Sequence, residues 1–523
     1  MPANNPSVNP IIPGFAPDPS CIRVGDTYYL VNSAFQYFPN LPIYTSTDLV
    51  NWTHTTNAIN RRSQLSFADS FTRIAPPDQW GESMLASGGL YAPTIRHHDG
   101  LFYVVCTNVI QRFGEDWGSD VRQNFIVTSR DPFGDEWRKS YIVGSAVPGP
   151  MTTIKLFEID LATGKKLSDE KLIWRGTGGV YPEGPHIWLK DGWYYLVISE
   201  GGCFPDHMIT AARSRELWGP YEAYENNPLV TAKDTDEYIQ HIGHSDMFTD
   251  PEGNWWAVCL GVRKDKKSRY LMGRETFLTP MSWPKNSWPQ VSQPKMTLAR
   301  DLPTKRTTIT AQNPEVEYIY LRDADLSAHR IEANTITLRP TSADVTDGRR
   351  DAKPTFIAKR IRTLDRGVAS VTLRRPSSSP ARSNRSTTFN AGIAFYKDEH
   401  RFARLYLSQT STPSAAEIVF ELRNAGKSIS RDARISVPSG EDEDAKNVQL
   451  RITYSEETIE LHYNIGKGWK GLGGTVDSLE LTGLDFTGPV VGLFACTVGD
   501  REDELAGSAG QRAIVVFEDF SVQ

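Results

Sequence analysis

Four copies of one short phrase constrain this chain more than anything else in its 523 residues. A glycine leads into aromatic and then β-branched or aliphatic residues. The copies are Gly25-Asp-Thr-Tyr28-Tyr-Leu-Val31, Gly100-Leu-Phe102-Tyr-Val-Val105, Gly192-Trp193-Tyr-Tyr-Leu-Val197 and Gly253-Asn-Trp255-Trp-Ala-Val258. Each reads as a tight turn feeding a strand whose residues fit a pleated surface. A second phrase follows each first one: Ser46-Thr-Asp48-Leu49 up to Trp52, Ser129-Arg-Asp131-Pro132 up to Trp137, and Ser214-Arg-Glu216-Leu-Trp218. Arg274-Glu-Thr-Phe277 up to Trp283 is a looser fourth copy. A unit of several short strands repeating on this scale predicts a β-propeller.

The spacing fixes the number of blades. Successive first aromatics, at 28, 102, 193 and 255, lie 74, 91 and 62 residues apart. The middle interval is too long for one blade and too short for two. Within it, Ile154-Lys-Leu-Phe157-Glu-Ile-Asp160-Leu161 reads as strand and turn with no glycine-aromatic partner upstream. Five blades are therefore expected, the third having lost its first half, with a join rather than a strand near Val143 to Thr153.

The texture changes after about residue 300. Residues 301–316 are polar and threonine-rich and read as a linker between a propeller of residues 1–300 and a second domain of residues 317–523. In the latter, Leu450, Ile452 and Tyr454 alternate with polar residues, as do Ile459, Leu461 and Tyr463 after a Ser-Glu-Glu turn. A period of two marks half-buried antiparallel strands, so an all-β fold of propeller followed by β-sandwich is expected. Pro376 to Ser386, rich in Ser and Pro, reads as a loop.

The balance of 57 basic and 63 acidic residues gives no support for nucleic-acid binding, and the sequence has no run of eighteen apolar residues to suggest a membrane span. Cys21, Cys106, Cys203, Cys259 and Cys496 are scattered, odd in number and without a C-x-x-C pair, which supports neither a disulfide framework nor a zinc site. With no basic and apolar leader in the first residues, a cytoplasmic location is expected.

Propeller blades bring equivalent positions of their innermost strands together at one axis. Ten residues before the first aromatic of each copy stand Asp18, Ala92, Glu183 and Ser245, with His244 one step further back. Two inward carboxylates on different blades suit glycoside hydrolysis, one activating water and the other protonating the leaving oxygen. On spacing alone the alternative stands that Asp18 caps a turn and Glu183 pairs with a neighbouring base.

The runs Asn9-Pro-Ile-Ile-Pro-Gly-Phe-Ala-Pro-Asp18-Pro-Ser, Phe35-Gln-Tyr-Phe-Pro, Gly88-Gly-Leu-Tyr91-Ala-Pro-Thr-Ile-Arg96, Tyr181-Pro-Glu183-Gly-Pro-His and His241-Ile-Gly-His244-Ser-Asp resemble, in order, the family 43 glycoside hydrolases. Within that family the chain is most similar to the β-xylosidase and α-L-arabinofuranosidase branch. Pro354-Thr-Phe-Ile-Ala-Lys-Arg and Ala391-Gly-Ile-Ala-Phe-Tyr resemble that branch's concanavalin-like sandwich. The resemblance implies an inverting exo-hydrolase releasing terminal xylose or arabinofuranose from xylo-oligosaccharides or related plant cell-wall glycans. Asp18 matches the general base and Glu183 the general acid. Arg274 resembles the arginine that holds sugar hydroxyls, and Phe35 and Tyr91 the aromatic walls of the pocket. His244 matches the axial histidine, which in some relatives helps hold a calcium ion. No cofactor is otherwise required. The expected partner is an oligosaccharide. The sequence leaves open whether further copies of the chain join it in a homo-oligomer.

One departure cuts against activity. The resemblance implies a third carboxylate, an Asp in an Ile-Asp-Pro-x-x-Phe motif opening the third blade, that raises the acid's pKa through a nearby like charge. Nothing between Val143 and Ile154 matches it. Asp131-Pro132 belongs to the second-blade phrase and Asp160 to a turn downstream. Without that group Glu183 is expected to be ionised at neutral pH. The alternative reading is therefore a catalytically impaired, carbohydrate-binding relative. Cys203, where Thr is usual in the resembling family, is a milder departure beside the same site.

Overall fold

The computed structural model describes residues 8–523 apart from 78–82, 117–118, 131–139, 147–150, 299–301, 304, 306–308, 376–387, 411–415, 438–446, 485 and 499–513. The loop expected at Pro376 to Ser386 and the Asp131-Pro132 pair lie outside the described residues.

Five antiparallel sheets in the first 300 residues form the blades of a propeller, beside a short two-stranded ladder of Thr72–Ile74 with Leu85–Ser87. The repeated glycines sit at their hairpin turns. Gly25, Gly100, Gly192 and Gly253 all have φ between 60° and 80°, and Asp99 and Asp191, just before two of them, are also left-handed. That is the Asp-Gly chemistry of a two-residue turn whose twist matches the strands it joins. Each turn launches the second strand of its blade: Thr27–Val31, Leu101–Ile110, Trp193–Glu200 and Trp255–Arg263. The first strands are Ser20–Val24, Gly89–His98, Glu183–Lys190 and Ile239–Thr249; the last three carry Ala92, Glu183 and Ser245, and Asp18 lies two residues before the first. The ring is tied shut by the start of the chain, where the Val8 and Asn9 amides donate to the Met296 carbonyl and Ile11 to that of Thr276 in the fifth blade.

The third blade corrects the sequence reading. Ser140–Ala146 is a strand, not a join, and pairs antiparallel with Thr153–Ile159, which pairs in turn with Lys171–Trp174. The second and third blades each show three strands among the described residues. Ser140–Ala146 packs against Glu183–Lys190 of the fourth blade and so supplies the third blade's inner face.

The sandwich has two large sheets around a core of Leu373, Ile393, Leu405, Phe420, Leu450, Ile452, Leu461, Leu493 and Phe517. The expected alternation holds: Leu450 lies opposite Tyr463, Ile452 opposite Leu461 and Tyr454 opposite Ile459, all buried. The two domains interlock. Tyr37–Phe38 of the first blade's loop adds to the edge of a sandwich sheet beside Ile319–Leu321. Thr310–Ala311, within the stretch read as a linker, pairs in parallel with the first blade's Thr53–Ile59. All five cysteines are free thiols, four of them buried and Cys203 half-buried. No helix among the described residues is long and apolar enough to cross a membrane.

Candidate active site

The inner strands are distorted at equivalent points. Asp18, Ala92, Gly184 and His244 all have φ between 42° and 58°. Register slips occur between Tyr91 and Thr94, between Glu183 and His186, and between Gly243 and Ser245. A left-handed non-glycine residue costs about 1–3 kcal/mol, and a bulge re-aims its side chain. Here the distortion recurs in four of the five blades, at or beside the residue counted back from each aromatic. Below it, four blades are pinned together: Arg96 donates to both oxygens of Asp246 (2.7 and 3.2 Å) and lies 2.8 Å from Nδ1 of His186, while the Ser20 hydroxyl donates to Asp246 (2.6 Å). Burial opposes ionisation of Asp246, but Arg96, His186 and Ser20 outweigh it and hold the carboxyl at about 2.

Asp18 is buried and left-handed at the start of the first blade. Its Oδ2 accepts from the Ser33 hydroxyl at 2.7 Å and from the Ala92 amide at 3.4 Å, and its Oδ1 pairs with Arg274 at 3.5 Å. Burial works to raise its pKa, but the charges of Arg274 and His244 and the two hydrogen bonds prevail, and it stays below the usual carboxylate range. Glu183, across the axis on the fourth blade, goes the other way. Burial and then the Asp18 charge push it up to about 7, against Arg274, Arg122 and the Cys203 thiol, whose Sγ lies 3.8 Å from Oε1. The like charge that raises the acid is therefore Asp18 itself, working with desolvation. Glu183, expected to be ionised at neutral pH for want of a third carboxylate, is instead raised to where about half of it carries its proton there, and nothing among the described residues of the site supports an impaired relative. One carboxyl is held ionised and the other protonatable, close enough for the charge of one to act on the other, a contrast of the kind that can separate a base from an acid.

Arg274 is buried beside them. Its Nε and Nη2 donate to the Phe486 carbonyl (3.3 and 3.1 Å), and its guanidinium lies 4.8 Å from the Phe486 ring and 5.4 Å from that of Phe35. Phe486 belongs to the sandwich, and sequence reasoning missed it. Its ring stacks on Phe35 (6.1 Å, 11°) and Phe204 (6.2 Å, 3°) and meets Tyr91 edge-on at 5.9 Å. Phe35 itself is fully buried between Phe15 and Phe486, so it backs the pocket while Phe486 and the half-buried Tyr91 present the aromatic surface. The approach depends on Gly273, whose φ is 67° and where a Cβ would lie 2.6 Å from the Thr487 carbonyl oxygen. Nothing local in the sequence points to Phe486, and Ser33 is equally without a signal. Phe204 had one, as the neighbour of Cys203.

His244 lies on the axis, its amide donating to Ser199 Oγ at 2.6 Å and its Nε2 buried with no protein partner. Burial keeps the imidazole below its usual pKa. That free nitrogen could ligate an ion, but calcium takes six to eight oxygens, and no group of three or more His, Cys, Asp or Glu with metal-holding geometry occurs among the described residues. The described residues around His244 do not make up a protein-built calcium cage.

Fold and site together define a class, five-bladed propellers joined to a concanavalin-like sandwich with a carboxylate pair at the axis. Comparison with known proteins supplies the family. Residues 7–146 and 133–289 match the model of glycosyl hydrolases family 43, and residues 314–507 match that of the β-xylosidase C-terminal concanavalin A-like domain. The chain belongs to glycosyl hydrolase family 43. It is 36% identical over 303 residues (54% of this chain, 53% of the relative) to a non-reducing end α-L-arabinofuranosidase of Bacteroides ovatus. It is 35% identical over 317 residues (54% and 56%) to a xylosidase/arabinosidase of Butyrivibrio fibrisolvens. These matches span about half the length of the curated relatives. Among solved structures, a xylan β-1,4-xylosidase of Bacillus halodurans superposes with a TM-score of 0.80 at 26% identity, over 99% of this chain and 100% of the other.

Proposed function

We propose that the chain is an exo-acting, inverting glycosidase that removes terminal xylose or arabinofuranose from xylo-oligosaccharides or related plant cell-wall glycans. The observation that carries this reading is the pair of carboxyls in one pocket, Asp18 held below its ordinary pKa and Glu183 raised to about 7. Asp18 takes a proton from a water as its oxygen attacks the anomeric carbon, and Glu183 gives its proton to the departing glycosidic oxygen. Arg274 orients the sugar and keeps Asp18 ionised. Phe486, brought over the axis from the sandwich, closes one end of the pocket, which favours a chain end over an internal sugar. The names of the relatives favour pentose substrates and leave both ring forms in play.

The leaving group separates the two roles. Glu183→Gln should lose about 10²–10⁴-fold on xylobiose, whose leaving oxygen needs a proton, and far less on 4-nitrophenyl β-D-xylopyranoside or α-L-arabinofuranoside, whose activated phenolate departs without one. Asp18→Asn should lose activity on all three. Proton NMR of the first sugar released should show the inverted anomer. Full turnover of xylobiose by either variant would sink the assignment.

A further inference from the structure

Glu183 sits on an irregular turn. Tyr181, two residues before it, is left-handed (φ 52°), and the strand that Glu183 opens slips register before His186. A non-glycine residue at such a φ persists only where its surroundings hold it there. The carboxyl does little to hold itself. Among the described residues its hydrogen-bond partner is the Cys203 thiol, 3.8 Å from Oε1. Its aim therefore depends on the backbone that carries it.

That backbone is gripped at one atom from the third blade. The hydroxyls of Ser145 and Thr152 both donate to the Pro182 carbonyl, at 2.9 and 2.8 Å. Ser145 lies in the strand Ser140–Ala146, and Thr152 directly precedes Thr153–Ile159. Ala146 pairs with Thr153, so one end of one hairpin supplies both donors. Thr152 and Pro182 are buried. From the fourth blade, the Gly201 amide donates to the neighbouring Val180 carbonyl at 2.7 Å. Proline has no N–H, so the carbonyl is the one backbone group by which Pro182 can be tethered. That carbonyl and the Glu183 amide belong to a single planar peptide unit. Two donors on its oxygen restrain the plane, and with it the direction in which the Glu183 side chain leaves the backbone.

We propose that Ser145 and Thr152 are positioning residues for the proton donor of the glycosidase reaction, a reading that rests on Glu183 being that donor. Neither side chain hydrogen-bonds the Glu183 carboxyl; both act through the peptide that precedes it. The third blade thus serves the acid through its backbone. Because the two hydroxyls share one acceptor, either alone keeps part of the hold, and losing both should exceed the sum of the single losses.

The test is turnover of xylobiose and of 4-nitrophenyl β-D-xylopyranoside by Ser145→Ala, Thr152→Val and the double variant, with Glu183→Gln alongside. A misaimed acid slows only the substrate whose leaving oxygen needs a proton. The double variant should lose about 10–10²-fold in kcat on xylobiose, with KM nearly unchanged, and less than about threefold on the nitrophenyl glycoside. Each single variant should lose less than about tenfold on xylobiose. Thr152→Ser, which keeps a hydroxyl, should restore most of what Thr152→Val loses. Placed in Glu183→Gln, the same pair of substitutions should cost nothing further on xylobiose, because no proton is left to aim. Should the double variant not fold, the xylobiose-selective loss in the two single variants carries the same test. Equal losses on both substrates in folded protein, full xylobiose turnover without both hydroxyls, or a further loss in the Glu183→Gln background would each overturn the proposal. Full xylobiose turnover by Glu183→Gln itself would mark a different failure, that of the acid assignment, and the proposal would fall with it.

Discussion

The sandwich and the propeller are both built from antiparallel strands, and the sandwich's core hairpin and the propeller's inner strands treat regularity in opposite ways. In the sandwich, Asn447–Tyr454 and Thr458–Asn464 run in unbroken register, with every second side chain in the core. In the propeller, three of the inner strands slip register, and Asp18, Ala92 and His244 sit in the left-handed region that side chains disfavour. The regular part stores stability. The irregular part gives some of it up to aim carboxylates, an arginine and a histidine at one point. The two meet at Phe486, where the regular domain lends one ring to the irregular site.

Substitutions chosen in pairs can break that contrast. The largest effect should come from Arg274→Gln, which removes a donor from the pocket and one of the charges keeping Asp18 ionised: kcat/KM should fall about 10²–10³-fold. Its partner, Leu450→Ala in the sandwich core, should cost about 2–5 kcal/mol in denaturant unfolding and leave kcat/KM of the folded protein unchanged. A fall in activity without loss of stability at Leu450 would erase the distinction. Next, Phe486→Ala should raise KM for xylobiose about tenfold, the worth of one aromatic contact, with little change in the unfolding midpoint. An unchanged KM would confine the sandwich to a structural part. The smallest effect is the sharpest on strain. Ala92→Gly, at φ 48°, should stabilise by up to about 1 kcal/mol, whereas Ala391→Gly in a regular sandwich strand should destabilise by about 1 kcal/mol. The same sign at both positions would show that the inner strands carry no strain.

Much of this was legible before any coordinates. The glycine-aromatic phrase marked the blades because a hairpin turn and a strand start leave a local signature. The period-two pattern gave the sandwich for the same reason. Asp18 and Glu183 emerged from equivalent spacing, joined to a resemblance that matched both. The third blade was misread because its second strand, Thr153–Ile159, has no glycine-aromatic phrase before it, and Ser140–Ala146 runs through Gly144-Ser145, a weak strand signal. Phe486 was invisible because it reaches the pocket through tertiary packing, more than two hundred residues from Arg274, in a loop with no repeat to flag it. The upward shift of Glu183 was not legible because a sequence shows which charges exist but not how deeply they are buried.

The central claim is that Glu183 must carry its proton while Asp18 has lost its own. The pH dependence of kcat/KM for xylobiose tests this most directly. Raising the pH through about 7 strips the proton from Glu183, so the rate should fall on that side with an apparent pKa near 7. On the acid side, Asp18 stays ionised to below its ordinary value of 3.8, so activity should persist until the pH falls beneath it. Glu183→Gln should remove the alkaline limb along with most of the activity. A profile in which activity stays level from pH 6 to 9 would contradict the account, because the proton donor would then be another group.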